Sequence, residues 1–166
     1  MAVLMPFLDS FLMEFDDEMA STRRVLERLP MDRLGWKPHP KSKSMSELAT
    51  HVAEQPRWGL RIQGEEFAVG SEKAPQMSTI EQYLSRFDEN VRNGRAAIAA
   101  MSEDQLARDF TVTRGDQTFF RLKKGTMLRR TLLNHMIHHR GQLTVYLRLN
   151  DVPLPPVYGP TADEGV

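Results

Sequence analysis

The stretch TMLRRTLLNHMIHHRGQLTVYLRL, residues 126–149, decides how this chain is read. Leu128, Leu132, His135, His139, Leu143 and Tyr146 recur three or four residues apart. That spacing predicts one long amphipathic helix, from about Thr126 to Leu149, with a single face turned to a core. Two positions of that face carry histidine where leucine would be expected. Residues four apart on a helix stand one above the other, about 5–6 Å between Cβ atoms. Two imidazoles so placed can grip one metal ion. The plainer alternative is a pair of buried histidines, each needing a hydrogen-bond partner.

Working outward, three more segments carry the helical period. Phe7, Phe11, Phe15 and Met19 recur every four residues, with Leu8 and Leu12 beside them, in a helix from about Pro6 to Leu29. Asp16, Asp17, Glu18, Arg23 and Arg24 fall on its other face, and Pro30 ends it. A second helix is expected from about Met45 to Gln63, burying Met45, Leu48, Val52 and Trp58. Ser44 and Glu47 form a capping box at its start. Pro56 removes one of its hydrogen bonds and should kink or split it near Val52. A third stripe, Ile80, Leu84, Phe87, Val91 and Ile98, follows a second capping box in Ser78-Thr79-Ile80-Glu81 and ends near Met101.

The connections are less regular. Gly35 to Lys41 holds two prolines and reads as extended, and Gly64 to Gln76 reads as a polar loop. Between the third and fourth helices, Phe110–Thr113 and Thr118–Arg121 flank Arg114-Gly115-Asp116-Gln117, which suits a small hairpin. The tail from Asn150 carries four prolines and is extended. The expected fold is all-α: one domain over residues 1–166, built as a four-helix bundle with a possible hairpin.

Composition narrows the function. The chain balances 22 basic against 22 acidic residues, which argues against coating nucleic acid or anionic membrane. It has no cysteine, which excludes thiolate metal sites, disulfides and a cysteine nucleophile. Ten methionines suit flexible core filling. No apolar run reaches the length of a membrane span, and the apolar start lacks a basic segment and soon turns acidic, unlike a signal peptide. A cytoplasmic protein is expected.

A metal needs more than two ligands. His51 lies one turn after Glu47, beside Leu48 and Val52, and can face the bundle interior. His39 sits between two prolines and reads as solvent-exposed. His138 turns toward a more polar side with Asn134 and Thr131, and ranks behind His135 and His139. Two histidines of the fourth helix plus His51 make a three-histidine site with an open position for water or substrate. The residue after His135 is Met136, so the glutamate base of the HExxH metalloproteases is missing. Glu47, Gln55 and Gln142 stand one turn from ligand candidates and could support them, although a solvated face is the preferred reading for all three. Trp58 could line a pocket, with core packing preferred.

The segment Leu133–Leu143 resembles the signature helix of the DinB-like (damage-inducible) metalloprotein superfamily. Glu47-Leu48-Ala49-Thr50-His51-Val52-Ala53 is similar to that family's second helix with its one ligand histidine. Trp36-Lys37-Pro38 resembles the entry to that helix, and Pro155-Pro156-Val157-Tyr158-Gly159-Pro160 the closing motif. In order, these cover nearly the whole chain. The resemblance implies an up-down-down-up crossover, homodimers, and a divalent metal held by His51, His135 and His139. Its wider superfamily includes bacillithiol S-transferases and mycothiol-dependent maleylpyruvate isomerase, so a low-molecular-weight thiol is a candidate cofactor.

The expected function is therefore a metal-dependent enzyme that activates a small thiol or water for transfer or hydrolysis of a small-molecule substrate. Zinc is the default ion, with nickel, iron or copper also suited to three imidazoles. The rivals are a non-catalytic, stress-linked metal-binding bundle and a dimeric interaction bundle. A basic cluster, Arg121, Lys123, Lys124, Arg129 and Arg130, reads as a solvated face or as a site for an anionic thiol or phosphate. Because ligating histidines must be neutral, metal should be lost below roughly pH 6.

Overall fold

The computed structural model describes residues 7–165. The reading of Pro6 as a first-turn proline therefore lies outside the described residues. Four long helical segments carry the fold. Helix α1 spans Phe7–Leu26 and α2 spans Met45–Glu54, followed by a tight 3-10 turn, Gln55–Arg57, and the short α3, Trp58–Arg61. Strand β1 is Glu66–Ala68 and helix α4 is Ile80–Ala99. A single turn, α5 (Glu103–Leu106), leads to strands β2 (Asp109–Arg114) and β3 (Gln117–Lys123). The last segment begins as α6 (Lys124–Met127), widens into a π-helical stretch, Leu128–Asn134, and ends as α7, His135–Arg148.

Helix α1 packs on α4 and α7, and α2 packs on the same two helices. Helix α1 thus sits across the bundle from α2, and α4 from α7, which is why the connections from α1 to α2 and from α4 to the last segment are long. The core between them is Phe11, Phe15, Met19, Leu48, Val52, Tyr83, Phe87, Ile98, Leu132, Met136, Leu143 and Leu147, with their neighbours.

The expectation of an all-α fold needs correction. The hairpin forms, β2 pairing antiparallel with β3, and Gly115 takes φ +56° at its tip. Strand β1 then adds parallel to β2, giving a three-stranded sheet in the order β1-β2-β3. Residues 64–76 read as loop because a three-residue strand is too short to show a period. It exists through hydrogen bonds to a segment over forty residues away. Phe110 and Val112 turn inward from β2, while β3 is largely exposed.

Local signals fare well, with shifts in register. Ser44 and Glu47 cap α2 reciprocally. At α4 the cap is Thr79 with Gln82, one residue later than Ser78 with Glu81. Pro56 splits the second helix at Gln55–Arg57 and not near Val52. The Val52 carbonyl that proline cannot serve accepts from the Gln55 N–H instead, so the helix tightens before it breaks. On the last segment the buried stripe is Leu128, Leu132, Met136, Arg140, Leu143 and Leu147; His135 and His139 lie at its edge. The sequence reading followed the histidines because an arginine does not look like a core residue.

Helix α4 meets the break with almost no side chain between backbones. A Cβ on Gly94 would lie 2.2 Å from the Pro56 carbonyl oxygen, and one on Gly59 would lie 2.5 Å from that of Gly94. Asn90, one turn before Gly94, is buried and donates to the Ala53 carbonyl at 2.9 Å. Gly94→Ala should therefore destabilise the protein by about 1–3 kcal/mol, a fall in Tm of roughly 3–10 °C for a chain of this size. Gly141→Ala, where an added Cβ meets nothing within 4 Å, should raise stability by up to about 1 kcal/mol. Thermal melts of the two variants test the contrast; equal effects would mean that the contact is not tight.

Candidate metal centre

His51 comes from the middle of α2, and His135 and His139 from the first turns of α7. The three Nε2 atoms converge. His135 Nε2 lies 2.8 Å from His139 Nε2 and 3.4 Å from His51 Nε2. One ligand atom from each ring falls within 4.8 Å of the other two. In a tetrahedral zinc site with nitrogen at about 2.0–2.1 Å, ligand nitrogens stand about 3.3 Å apart.

One ring tautomer supports the fit. His139 Nδ1–H donates to Gln142 Oε1 at 2.7 Å. A ring held by its Nδ1–H turns a bare Nε2 lone pair toward the other two imidazoles, the form that binds a cation. A fourth polar group closes on the same point. Gln55, 2% exposed, holds its carboxamide nitrogen 2.9 Å from His51 Nε2. Its Oε1 is buried with no partner. Three imidazoles converging within metal-ligand distance, beside a buried amide whose acceptor is unused, fit a bound divalent ion.

The site is electrostatically poised for neutral ligands. Burial, then the neighbouring His139 and His135, pushes His51 down to about 3. Burial and then His139 push His135 to about 4. Burial also lowers His139, partly offset by the Gln142 hydrogen bond. Neutral imidazoles are thus available well below pH 6, so protons compete with a metal at lower pH than unperturbed histidines would suggest.

His51 and His135, with His138, line a cavity of about 1330 Å³, and His139 lies behind them. Trp58 also lines it, while remaining mostly buried. The sheet, through Phe67, Val112, Phe119 and Phe120, forms its far wall. His138 is exposed and does not join the cluster, though its ring meets that of His139 edge to face at 4.9 Å. His39 is exposed in its loop, its Nδ1 accepting from the Lys41 N–H. Glu47 serves the α2 cap, as its solvated reading suggests. Gln55 and Gln142 do contact the histidines, against that reading.

The basic cluster does not form one patch. Lys123 pairs with Asp109, Arg129 with Glu14, and Arg121 donates to Thr111. Lys124 is buried and donates to the Gln63 carbonyl. Arg130 alone of the five lines the cavity.

Sequence reasoning missed Arg140. It is 2% exposed, its Nη1 2.6 Å from Glu18 Oε2 and within hydrogen-bond reach of the Glu18 carbonyl and Thr22 Oγ1. Glu18, assigned to the outer face of the first helix, is buried beneath it. Tyr158 of the tail donates to Glu18 Oε1 at 2.7 Å, its ring 5.1 Å from the Arg140 guanidinium. Adjacent to His139, this pair fixes the rotation of α7. The tail motif containing Tyr158 was the available signal.

A family model described as the DinB family matches residues 5–165. No curated protein matches the chain. Among solved structures, a DinB-like protein from Bacillus subtilis aligns with a TM-score of 0.71 at 20% identity, covering 90% of this chain and 97% of that one. One from Bacillus cereus aligns at 0.72 and 22% with the same coverage. A DinB family member from Exiguobacterium sibiricum aligns at 0.65 and 18%, covering 90% and 95%. At these identities the likeness shows the fold. No helix among the described residues is long and apolar enough to cross a membrane.

Metal analysis of protein purified without a nickel column should find one divalent ion per chain, absent from His51→Ala, His135→Ala and His139→Ala. Zinc at a hundred times its Kd should stabilise the wild type by about 2.7 kcal/mol and leave those variants unmoved; a wild type indifferent to zinc would refute the site. Acid gives a second check. The unfolded chain takes up protons near the ordinary 6.5, while folded His51 and His135 wait until about 3 and 4. Their contribution to metal-free stability is complete above 6.5 and is lost as the pH falls toward those values. Urea midpoints at pH 7 and 4.5 should differ less in His51→Asn than in the wild type.

Proposed function

The chain belongs to the DinB family, and from that premise we propose that it is a divalent-metal-dependent enzyme acting on a small molecule held in the cavity above His51, His135 and His139. The observation that carries this reading is the asymmetry of the cluster. Three ring nitrogens converge from two helices, and two of the rings, His51 and His135, line a large cavity. A purely structural ion would be enclosed by four protein ligands. A divalent ion held by the three imidazoles supplies Lewis acidity, making an approaching water or thiol more acidic near neutral pH.

The chain's own residues do the rest. His51, His135 and His139 stay neutral and offer nitrogen, because burial disfavours their charged forms. Gln142 fixes the His139 ring and, with it, the tautomer. Gln55 is placed to hydrogen-bond a group entering the free side. Its amide lies beside the ligand nitrogens, and its other end is unpartnered. Trp58 and the sheet aromatics exclude water from the approach. The chain has no cysteine, so in a thiol transfer the sulfur comes from a bound small thiol, while in a hydrolysis the nucleophile is water.

Cobalt-substituted protein separates these cases from an inert centre. If the site is open, a small thiol should give a thiolate-to-cobalt charge-transfer band in the near ultraviolet, absent from His135→Ala. Zinc-loaded wild type should then accelerate thiol addition to an electrophile, or ester hydrolysis, at least about a hundredfold over metal-free protein. Gln55→Leu should keep the metal and lose most of that rate. An unchanged cobalt spectrum with every thiol, and no rate above His135→Ala, would overturn the proposal.

A further inference from the structure

The cavity is unusual in how its charges are engaged. Three carboxylates line it, and each is committed. Glu47 caps α2, Glu54 is held by Arg86 and Arg57, and Glu72 is held by Arg57 and Arg61. Burial alone would raise Glu54, but its hydrogen bonds to Arg86 and Arg57 keep it below the usual carboxylate range. Of the lining cations, Arg57 and Arg61 are used in those pairs. Lys43, Lys73 and Arg130 also line the cavity, and among the described residues they form no ion pair. The free charge of this wall is positive.

Arg130 differs from the two lysines in being placed. Its guanidinium stands 5.1 Å from the ring centroid of Phe120, while its neighbour Arg129 points away to Glu14. Stacking on a ring leaves the N–H edge of an arginine free and pre-oriented for two parallel bonds to a carboxylate. Beside it the wall is aromatic. Phe119 is 62% exposed and packs against Phe120 at 5.5 Å, and Trp58 and Phe67 meet edge to face at 5.1 Å. A large aromatic left in solvent at the lip of a cavity marks a surface that gains by being covered. At about 1330 Å³ the space exceeds what most small-molecule sites need, so it can take a substantial apolar body as well as a charged end.

From these features we propose that the cavity binds an organic carboxylate with a flat apolar body. Arg130 grips the carboxylate through its free edge, and Phe120, Phe119, Phe67 and Trp58 cover the body. Lys43 and Lys73 add attraction without fixed geometry, and this part weakens with salt. The proposal deepens the enzyme reading by naming its substrate class. It rests on that reading for the reaction but not for the binding, so binding is tested without metal.

The test is titration calorimetry of metal-free protein with 2-naphthoate and with its neutral isostere 2-naphthamide. Naphthoate should bind at least about tenfold more tightly than the amide, a difference of about 1.4 kcal/mol. Arg130→Gln should remove that preference while leaving the amide unchanged, and Phe120→Leu should weaken both ligands. Circular dichroism of each variant confirms that it is folded. Equal binding of acid and amide to the wild type, a preference that survives in folded Arg130→Gln, or no binding of either would overturn the assignment. Metal content measured on the same preparations separates this failure from failure of the metal site: a protein that binds zinc and ignores naphthoate refutes only the ligand class.

Discussion

The buried pair between Arg140 and Glu18 is the constraint from which much of the site follows. A guanidinium in a hydrocarbon core is costly to desolvate and tolerates only a position where its charge is answered. Here the answers come from one place on α1: the Glu18 carboxylate and carbonyl and the Thr22 hydroxyl. Helix α7 therefore has one rotation about its axis, and His139, the preceding residue, inherits it. The tail is recruited to the same pair, with Tyr158 donating to Glu18 and its ring lying by Arg140. Residues well separated in sequence are thus coupled to the orientation of one imidazole.

The second half of the site depends on a different economy. Helix α2 must end where Pro56 stands, and the chain uses the ending. Gln55, one helical turn after His51, begins the tight winding at Gln55–Arg57, and α4 locks the turn by bringing Gly94 against the Pro56 carbonyl. Asn90 supplies a donor to Ala53 at the same junction. On the other helix, the π-helical stretch before His135 plays a comparable part. Wide turns of this kind are frequent at functional sites, and here Arg130, Thr131, Asn134 and His135 line the cavity while Leu132 and Met136 stay in the core.

The sheet is small, but it turns a histidine cluster on a bundle into a pocket. Without β1 to β3 the histidines would face solvent. With them, Phe67, which meets Trp58 edge to face, joins Val112 and Phe120 in walling the cavity that His51 and His135 line. Bundle and sheet divide the work: the helices set ligand geometry, and the sheet sets access and the character of what can enter. Burial supplied by both keeps the imidazoles neutral, the form that coordinates.

What the sequence determined by itself was local in origin. Helix periods, the Ser44–Glu47 cap, the hairpin about Gly115 and the four-residue step from His135 to His139 depend on neighbours in the chain, and neighbours are visible. The third histidine was legible because His51 shares a face with Leu48 and Val52. Tertiary structure alone decided the rest. Strand β1 exists only by pairing with β2. Gln55 and Gln142 each touch a histidine one turn away on their own segment, but only packing buries Gln55 beside the cluster. Glu18 reads as solvent-facing and Arg140 goes unremarked until each is seen to neutralise the other in the core. Arg130 was one of five basic residues until folding gave Arg121, Lys123, Lys124 and Arg129 other partners. A polar or charged side chain tolerates burial only through the particular partner that meets it, and the linear sequence does not say which partner that will be.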